Sequence, residues 1–359
     1  MSDGGLKAPF PYMGGKRSVA SVVWGALGSP RHYIEPFFGS GAVLLNRPAP
    51  SFPDAVYYET VNDADGLLAN TWRAIQYAPD EVARYADWPS SEADLHARHL
   101  WLVGQREDIT DRLMGDPDWF DARAAGWWLW GIALWIGGGW CSGQGPWVSE
   151  GGRMVYKPKT GVDIKRERPA SGLGRGVHRQ VLHPIADRGV HRKRIHLTSR
   201  NGVTSSDDIY TWMKRLSQRF RHVRVLCGDW KRAVTTASIT NGYKIAPHEV
   251  AIFLDPPYEH DERHKGLYAI DHDVAVEAAG WAKANGEQYR IVYAGYVGGH
   301  VEEILSGWRQ HRWKTQGGMA NVGKSPTRGK DNSNRECLWF SPACGVDSKV
   351  DEIGMQQLF

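Results

Sequence analysis

Cysteine is scarce in this chain. Its 359 residues include four cysteines, and none of them stands in a Cys-x-x-Cys pair. No spacing of cysteine and histidine is typical of a zinc site, so we expect no metal. Disulfides are not expected either in so large a chain with so few cysteines. These absences speak against a zinc-bound or a disulfide-stabilised protein.

Long apolar runs are also missing. The longest, residues 124–140, is too short to span a bilayer and is rich in Trp and Gly, so it predicts a buried helix that runs into a turn. The N-terminus lacks the apolar segment of a signal peptide. We therefore expect no membrane association and a cytoplasmic location.

The excess of positive charge is small, since 44 Lys and Arg stand against 40 Asp and Glu, for a net charge of +4. Such a bias does not by itself indicate a nucleic-acid partner. The basic residues are nevertheless concentrated, because residues 153–200 hold many Lys, Arg and His and few acids. The sequence therefore predicts one strongly basic segment in an otherwise balanced chain.

The first part of the chain follows the order strand, glycine turn, helix, strand, acidic residue. A strand is predicted at His32–Glu35, a glycine turn at 37–41, the opening of a helix at 42–46 and a second strand at 55–59, followed by Asp63. This order is the outline of a nucleotide-binding α/β unit. Asp63 would then accept hydrogen bonds from ribose hydroxyls, although helix N-capping explains an aspartate there equally well.

Helices and strands continue beyond this unit. The spacing of apolar residues predicts helices at 19–27, 67–77, 92–103, 122–135 and 207–220. Further strands are predicted at Val223–Cys227, Val250–Leu254, 290–294 and Glu336–Phe340. Periodicity is weak from 137 to 204. We therefore predict an α/β core of residues 1–70 and 205–345, an insertion at 71–204 and a C-terminal tail at 346–359.

The most specific motif is Asp255, Pro256, Pro257 and Tyr258, which directly follows the apolar strand Val250–Leu254. Ligands of open α/β sheets bind just beyond the carboxyl ends of the strands, which makes this motif a candidate site. The two prolines stiffen the backbone, so the direction of the Pro256 carbonyl is preset. The alternative is a rigid turn after a core strand, with Tyr258 as a packing residue.

Two glycine motifs precede it. Residues 35–41 read Glu-Pro-Phe-Phe-Gly-Ser-Gly, in which Gly39 and Gly41 let a ligand approach the backbone closely. The helix predicted to follow would favour anionic groups at its N-terminus. Near the start of the chain, Tyr12 to Lys16 read Tyr-Met-Gly-Gly-Lys, which suits either a carboxylate-binding turn or a plain surface turn.

In this order the motifs resemble the DNA adenine methylase (Dam-like) family of N6-adenine DNA methyltransferases. The family's aromatic-x-Gly-Gly-Lys motif is present at 12–16, its methionine-pocket motif at 35–41, its Asn-Asp pair at 62–63 and its Asp-Pro-Pro-Tyr motif at 255–258. Gly228 and Asp229, followed by Trp230, resemble a motif that contacts the adenine ring of the family's cofactor. The chain departs from the family at 294–296, Ala-Gly-Tyr, where a Ser-Asn-like turn is common.

The resemblance implies a class I S-adenosylmethionine-dependent methyltransferase fold: Rossmann-like, with a mixed sheet of about seven strands and an inserted DNA-recognition domain. It implies S-adenosylmethionine as the cofactor and double-stranded DNA as the partner. It further implies a monomer or weak dimer in the cytoplasm of a bacterial cell or phage-infected host. The residues implied for the cofactor site are Tyr12, Lys16, Glu35, Phe37, Gly39, Gly41, Asp63, Asp229 and Asp255.

The same resemblance implies that Asp255, Pro256 and Tyr258 are catalytic. The exocyclic amine of adenine is a poor nucleophile because its lone pair is delocalised into the ring. The Asp255 carboxylate and the Pro256 carbonyl are hydrogen-bond acceptors that would hold the protons of this amine and favour a tetrahedral nitrogen. Tyr258 would offer a flat face to a base flipped out of the duplex.

The basic segment falls where this family carries its DNA-recognition domain. The residues chosen as DNA contacts are Arg166, Arg168, Arg175, Arg179, Arg192, Lys193 and Arg194. A solvated basic loop without a recognition role is the alternative. Three other functions stay open: N4-cytosine methylation, methylation of RNA or of a protein amide, and catalytically silent DNA binding on the same fold. Asp255 favours adenine, since N4-cytosine enzymes more often carry Ser at that position.

Overall fold

A computed structural model describes residues 6–10, 12, 14–49, 56–135, 140–141, 147–150, 153–156, 209–242, 244–257, 274–313 and 335–345. Tyr258 lies outside these residues, and so do the seven predicted DNA contacts and the predicted tail.

The described strands are β1 (His32–Glu35), β2 (Tyr58–Asp63), β3 (Trp147–Glu150), β4 (Arg153–Tyr156), β5 (Val223–Cys227), β6 (Val250–Leu254), β7 (Arg290–Tyr296), β8 (Arg309–Arg312) and β9 (Glu336–Phe340). The described helices are α1 (Ala20–Leu27), α2 (Gly66–Tyr77), α3 (Pro79–Ala86), α4 (Glu92–Gly115), α5 (Ala122–Leu134), α6 (Ile209–Phe220), α7 (Thr236–Ile239), α8 (Val274–Asn285) and α9 (His300–Ile304). Short 3-10 turns lie at Arg17–Val19, Leu44–Asn46, Trp230–Arg232 and Pro247–Glu249.

Seven of the strands form one sheet in the order β5-β2-β1-β6-β7-β9-β8. Strands β5, β2, β1, β6 and β7 are parallel, and β9 runs antiparallel to both of its neighbours. The prediction of a mixed, mostly parallel sheet is confirmed. The chain moves outward from β1 to β2 and β5 and then returns to β6 on the other side of β1. In a doubly wound sheet, such a switch point opens a ligand crevice beyond the carboxyl ends of the strands.

Helices cover both faces of this sheet. Tyr33 of β1 and Phe253 of β6 pack into one hydrophobic cluster with α1, α2 and α6, whereas Ile34 and Ile252 face the opposite cluster with α8 and α9. Strands buried on both faces read as continuous apolar runs rather than as alternating ones. Strand β6 is an example, because its five residues, Val-Ala-Ile-Phe-Leu, are all apolar and all buried.

Helices α2 and α4 pack against the sheet, while α3 packs on α6 and α5 packs on α2, although most residues of these four helices fall in the predicted insertion. They belong to the same hydrophobic cluster as α6. Trp72 of α2 stacks on Phe220 of α6, with ring centroids 4.8 Å apart and planes 8° from parallel. Helix α5 approaches α3 closely, because a Cβ on Gly126 would lie 2.3 Å from Cβ of Tyr85. The division of the chain at residue 71 stays a prediction.

Three local predictions were wrong. The helix predicted to open at 42–46 is only the 3-10 turn Leu44–Asn46, and Pro48 cannot continue a helix. The second strand was predicted at 55–59, but β2 is Tyr58–Asp63. Helix α4 extends to Gly115, well beyond the predicted end at 103. The elements α3, α7, α8, α9 and β8 and the antiparallel hairpin of β3 and β4 had no predicted counterpart.

Candidate active site at the switch point

The glycine turn after β1 packs against Tyr12. Gly39 has a φ of +50°, and a Cβ on it would lie 2.6 Å from Cε1 of Tyr12. Gly41 has a φ of +61°. Both positions therefore need glycine for backbone conformation, whereas the close approach of a ligand predicted for them stays a prediction. The close approach at Gly39 is made by the protein itself, because it is the ring of Tyr12 that lies against the turn.

Asp63, at the end of β2, accepts backbone hydrogen bonds on both carboxylate oxygens. Oδ2 accepts from Gly39 N and Oδ1 from Asp65 N, each at 2.9 Å. The helix N-cap is a different residue, since Asp65 accepts from Leu67 N at the start of α2. The N-cap alternative for Asp63 is therefore wrong. The prediction that a helix N-terminus follows the glycine turn is also wrong, because only the 3-10 turn Leu44–Asn46 follows it. The anionic group at the amide of Gly39 is the carboxylate of Asp63.

Burial raises the pKa of Asp63 to about 6, although hydrogen bonds from the backbone N–H groups of Asp65 and Gly39 oppose this shift. A carboxylate has roughly four lone-pair sites, so these backbone bonds leave it further acceptor capacity. Asp63 is thus a partly desolvated acceptor at the carboxyl edge of the sheet. This is the position predicted for a group that binds ribose hydroxyls.

Asn62 ties together the loops that follow β1 and β5. Its side-chain Nδ2 donates to the carbonyls of Pro36 and Gly228, each at 3.0 Å. Gly228 N in turn donates to the carbonyl of Asp63 at 3.0 Å. Asn62 is 1% exposed, and its Oδ1 is buried without a hydrogen-bond partner among the described residues. One buried amide therefore fixes the spacing of two loops at the crevice.

An aromatic wall lies beside these loops. The rings of Phe37 and Trp230 are 5.7 Å apart between centroids and tilted by 32°. Trp230 is buried, and its Nε1 has no hydrogen-bond partner among the described residues. Asp229 is exposed, and its carboxylate accepts from Lys231 N at 2.9 Å. Phe37 and Asp229, both predicted for the cofactor site, are thus neighbours of Trp230, Phe37 through the contact of the two rings and Asp229 along the chain.

Asp255 follows β6 and forms a buried ion pair with Lys16. Its Oδ1 lies 3.0 Å from Nζ of Lys16, which is 4% exposed. The same ammonium donates to the carbonyl of Gly14 at 2.8 Å and lies 4.0 Å from Oε2 of Glu336. The structure thus brings the N-terminal motif and the motif after β6 together, as both were predicted to belong to one site.

The charged groups of this cluster shift one another's pKa values. Burial alone would lower the pKa of Lys16, but the carboxylates of Asp255 and Glu336 outweigh burial and raise it. Burial raises the pKa of Asp255 to about 6, against the positive charge and hydrogen bond of Lys16 and with the negative charge of Glu336. Asp255 is therefore mostly ionised at neutral pH and becomes protonated as the pH falls through about 6.

Glu35 lies beneath the glycine turn. It is 3% exposed, and its Oε2 accepts from the Tyr33 hydroxyl at 2.9 Å. Burial raises the pKa of Glu35 well above its usual range. Two contributions were missed from the sequence: the bridging role of Asn62 and the presence of Glu336 in the site. The one available signal for Glu336 is a charged residue at the head of a fully apolar strand.

A doubly wound α/β sheet with a glycine turn, buried carboxylates and an aromatic wall at its switch point is the architecture of nucleotide-binding α/β proteins. Residues 12–94 match the family model of the D12 class N6 adenine-specific DNA methyltransferases. This match confirms the resemblance to the Dam-like family, whose members methylate adenine in DNA. It includes the first three motifs and ends before Asp255. No curated protein matches the chain.

Two kinds of feature are absent from the described residues. No helix among them is long and apolar enough to cross a membrane. No three or more of their His, Cys, Asp and Glu side chains are grouped in a way that could hold a metal ion. The four cysteines are all described, and each is buried and unpaired.

Proposed function

We propose that this protein transfers a methyl group from S-adenosylmethionine to the exocyclic amine, N6, of adenine in double-stranded DNA. The observation that carries the proposal is the position of Asp255 and Pro256. They follow β6 directly, next to the glycine turn of β1 at the switch point of the sheet. Lys16, from the part of the chain that matches the family model, is ion-paired to Asp255.

The proposal also includes a finer classification of the fold. We assign it to the class I methyltransferases, because its five parallel strands have the order of a nucleotide-binding doubly wound sheet and β9 adds one antiparallel strand. The residues between α5 and α6, which include the basic segment, would form the core of the inserted recognition domain. The seven Arg and Lys residues named above would contact DNA phosphates or bases from there.

The described side chains fit S-adenosylmethionine. The cofactor is cationic at sulfur, and the carboxylates of Asp63, Asp229 and Asp255 give the crevice anionic acceptors for that charge and for ribose hydroxyls. The buried Oδ1 of Asn62 and Nε1 of Trp230, without partners among the described residues, are an acceptor and a donor of the kind that a purine or ribose needs. When bound, the cofactor supplies an activated methyl group.

Tyr12, Glu35, Phe37, Gly39 and Gly41 complete the proposed cofactor site, each in a different way. The ring of Tyr12 and the two glycines shape the turn, and Phe37 contributes its half-buried ring to the aromatic wall. Glu35 supports the glycine turn from beneath, because its carboxyl group accepts a hydrogen bond from the hydroxyl of Tyr33. Lys16 acts through Asp255, since its ammonium already lies in hydrogen-bond contact with that carboxylate.

The protein's part in the reaction is to activate and orient the adenine amine. Asp255 accepts a hydrogen bond from one N6–H and the Pro256 carbonyl accepts a hydrogen bond from the other, which turns the nitrogen lone pair toward the methyl carbon. As the carbon–nitrogen bond forms and the carbon–sulfur bond breaks, N6 becomes positively charged. Asp255 holds the proton that N6 then loses. Tyr258 would stack on the flipped-out adenine.

The experiment that tests this function uses unmethylated DNA and S-adenosylmethionine labelled in its methyl group. After incubation with the purified protein, the DNA is digested to nucleosides and the labelled base is identified. N6-methyladenine is the expected product, and its sequence context defines any recognition site. Labelled N4-methylcytosine would replace the proposal with the N4-cytosine alternative. DNA without label, from protein that binds the cofactor, would point to RNA, to protein or to a non-catalytic role.

A further inference from the structure

Arg106 of α4 bridges the turn that follows β2 and a segment that follows α5. Its Nη1 donates to Oδ1 of Asp65 at 2.8 Å, and its Nη2 donates to the carbonyl of Cys141. The side chains of Arg106 and Asp65 are only 21% and 23% exposed. A guanidinium group is planar and presents its donors in fixed directions, so one arginine can hold a carboxylate and a carbonyl at a set spacing.

Asp65 links Arg106 to the proposed ribose-binding residue, Asp63. Oδ1 of Asp65 accepts from Leu67 N at 3.0 Å, as the N-cap of α2, as well as from Arg106. The backbone N–H of Asp65 donates to Oδ1 of Asp63 at 2.9 Å, while Oδ2 of Asp63 accepts from Gly39 N. Because Asp65 is held by its side chain, its N–H is held in the direction that orients the carboxylate of Asp63.

The packing of α4 against the start of α2 sets the position of Arg106. A Cβ on Gly66, the first residue of α2, would lie 2.0 Å from Oγ1 of Thr110, so this close approach requires glycine. The hydroxyl of Thr110 also donates to the carbonyl of Arg106, one turn earlier in α4. Ion pairs of long exposed side chains contribute little, because both chains must first be ordered. Here helix packing already places Arg106 beside Asp65.

The other end of the bridge, Trp140–Cys141, is itself tightly held. The ring of Trp140 lies over Gly131 of α5, where a Cβ would be 1.9 Å from its Cζ2, and its Nε1 donates to the carbonyl of Trp128 at 3.1 Å. Cys141 is buried and has a φ of +54°, which is rare for a residue with a side chain. Such a backbone persists only where its surroundings hold it, and the hydrogen bond from Arg106 does so.

We infer that Arg106 is a positioning residue of the cofactor site. Through Asp65 it holds Asp63 where an acceptor for ribose hydroxyls is needed, and through Cys141 it attaches the start of the proposed recognition domain to the same turn. The inference rests on the proposed function, since it assigns Arg106 to the binding of S-adenosylmethionine. Arg106 acts through these neighbours and not by contact with the cofactor.

The test is Arg106→Met, which removes both hydrogen bonds and keeps an unbranched side chain. The Kd of S-adenosylmethionine is measured by calorimetry without DNA at pH 8, where Asp63, with a pKa of about 6, is ionised. We expect the Kd to rise roughly 10-fold, because Asp63 loses part of the support for its position. In methyl transfer, the KM for S-adenosylmethionine should rise by a similar factor, while kcat at saturating cofactor stays within about twofold, since Asp255 and Pro256 are unchanged.

Asp65→Asn tests the same link from its other end. Asparagine keeps a side-chain oxygen for the N-cap of α2 but removes the charge that Arg106 holds. The Kd should rise roughly threefold or more, because a charged hydrogen bond is replaced by a weaker neutral one. The double variant should bind the cofactor no more weakly than Arg106→Met alone, because the two substitutions break one link. If Arg106→Met does not fold, the Kd of Asp65→Asn alone decides.

The matched control is Arg31→Met. Arg31 is also a partly buried arginine, and its ion pair with Glu249, at 3.3 Å, lies at the opposite edge of the sheet, before β1 and β6. Thermal unfolding establishes that each variant is folded. Arg31→Met should leave the Kd of S-adenosylmethionine unchanged, whatever it does to stability.

A folded Arg106→Met protein with the wild-type Kd would overturn the inference, and so would an equal rise of the Kd in Arg31→Met. Failure of the proposed function looks different. A wild-type protein that binds no S-adenosylmethionine would end both the proposed function and the inference. A wild-type protein that binds it without methylating DNA would contradict the proposed substrate, while the Kd values of the variants would still decide the role of Arg106.

Discussion

The ion pair between Lys16 and Asp255 makes the sharpest prediction. Lys16→Met replaces the buried ammonium with an apolar side chain of similar length. Asp255 then keeps the burial that raises its pKa and the neighbouring charge of Glu336, but loses the charge and hydrogen bond that hold the pKa down to about 6. The carboxyl group becomes protonated near neutral pH and can no longer accept a proton from adenine.

The magnitude follows from the burial of the pair. Lys16 is 4% exposed, and the two charged atoms are 3.0 Å apart. Removing one partner of a buried ion pair costs about 3–5 kcal/mol. Since one pKa unit corresponds to about 1.4 kcal/mol, the pKa of Asp255 should rise by roughly two to three and a half units. At pH 7 we therefore expect kcat to fall about 10-fold or more, with partial recovery toward pH 9.

The assay is the initial rate of methyl transfer to unmethylated DNA between pH 5 and 9, with kcat and KM for S-adenosylmethionine determined separately. Thermal unfolding at each pH verifies that the variant is folded. Lys214→Met is the matched control, because Lys214 forms an exposed ion pair with Asp80, 3.2 Å away, on the surface of the protein. A folded Lys16→Met protein whose acidic limb coincides with that of Lys214→Met would refute the reasoning.

Two further predictions concern the cofactor loops. Gly39→Ala puts a Cβ 2.6 Å from Cε1 of Tyr12 at a φ of +50°, so it should cost about 1–2 kcal/mol of stability and raise the KM for S-adenosylmethionine. The control Gly104→Ala, in open space on α4, should be neutral or stabilising in thermal unfolding. Equal effects of the two substitutions would contradict the account. Asn62→Leu removes the hydrogen bonds to the Pro36 and Gly228 carbonyls and should weaken cofactor binding about 10-fold in calorimetry. The control Asn70→Leu breaks a similar buried bridge to Asp121 away from the crevice and should lower only the stability. An unchanged Kd of the cofactor for Asn62→Leu would speak against the role of the Asn62 bridge.

Four strands were predicted with the right bounds, and three of them, His32–Glu35, Val250–Leu254 and Glu336–Phe340, are buried along their whole length. Val223–Cys227, Val250–Leu254 and Glu336–Phe340 are short runs, mostly apolar, and a run of this kind needs no knowledge of its neighbours to be recognised. Strand β2 was misplaced because it carries Glu59, Thr60 and Asn62. Glu59 is tolerated there since Arg47 and Arg219 neutralise it, and Arg219 comes from a distant helix.

The site was predictable where chemistry depends on a local motif and hidden where it depends on a long-range contact. Asp255, Lys16, Gly39 and Asp63 each stand in a recognisable local pattern, and the switch point of the sheet brings the carboxyl ends of their strands together. The ion pair of Lys16 with Asp255 joins two residues that lie far apart in the sequence. Glu336 joins the same ammonium through the antiparallel strand β9, whose direction no local pattern reveals.

Asp255 is the residue on which the account depends most. Asp255→Ala and the wild-type protein should be compared side by side, on the same unmethylated DNA with labelled S-adenosylmethionine, after thermal unfolding has established that both are folded. The account predicts N6-methyladenine from the wild type and none above background from the variant. Near-normal formation of N6-methyladenine by folded Asp255→Ala would contradict it and would place the active site elsewhere in the molecule.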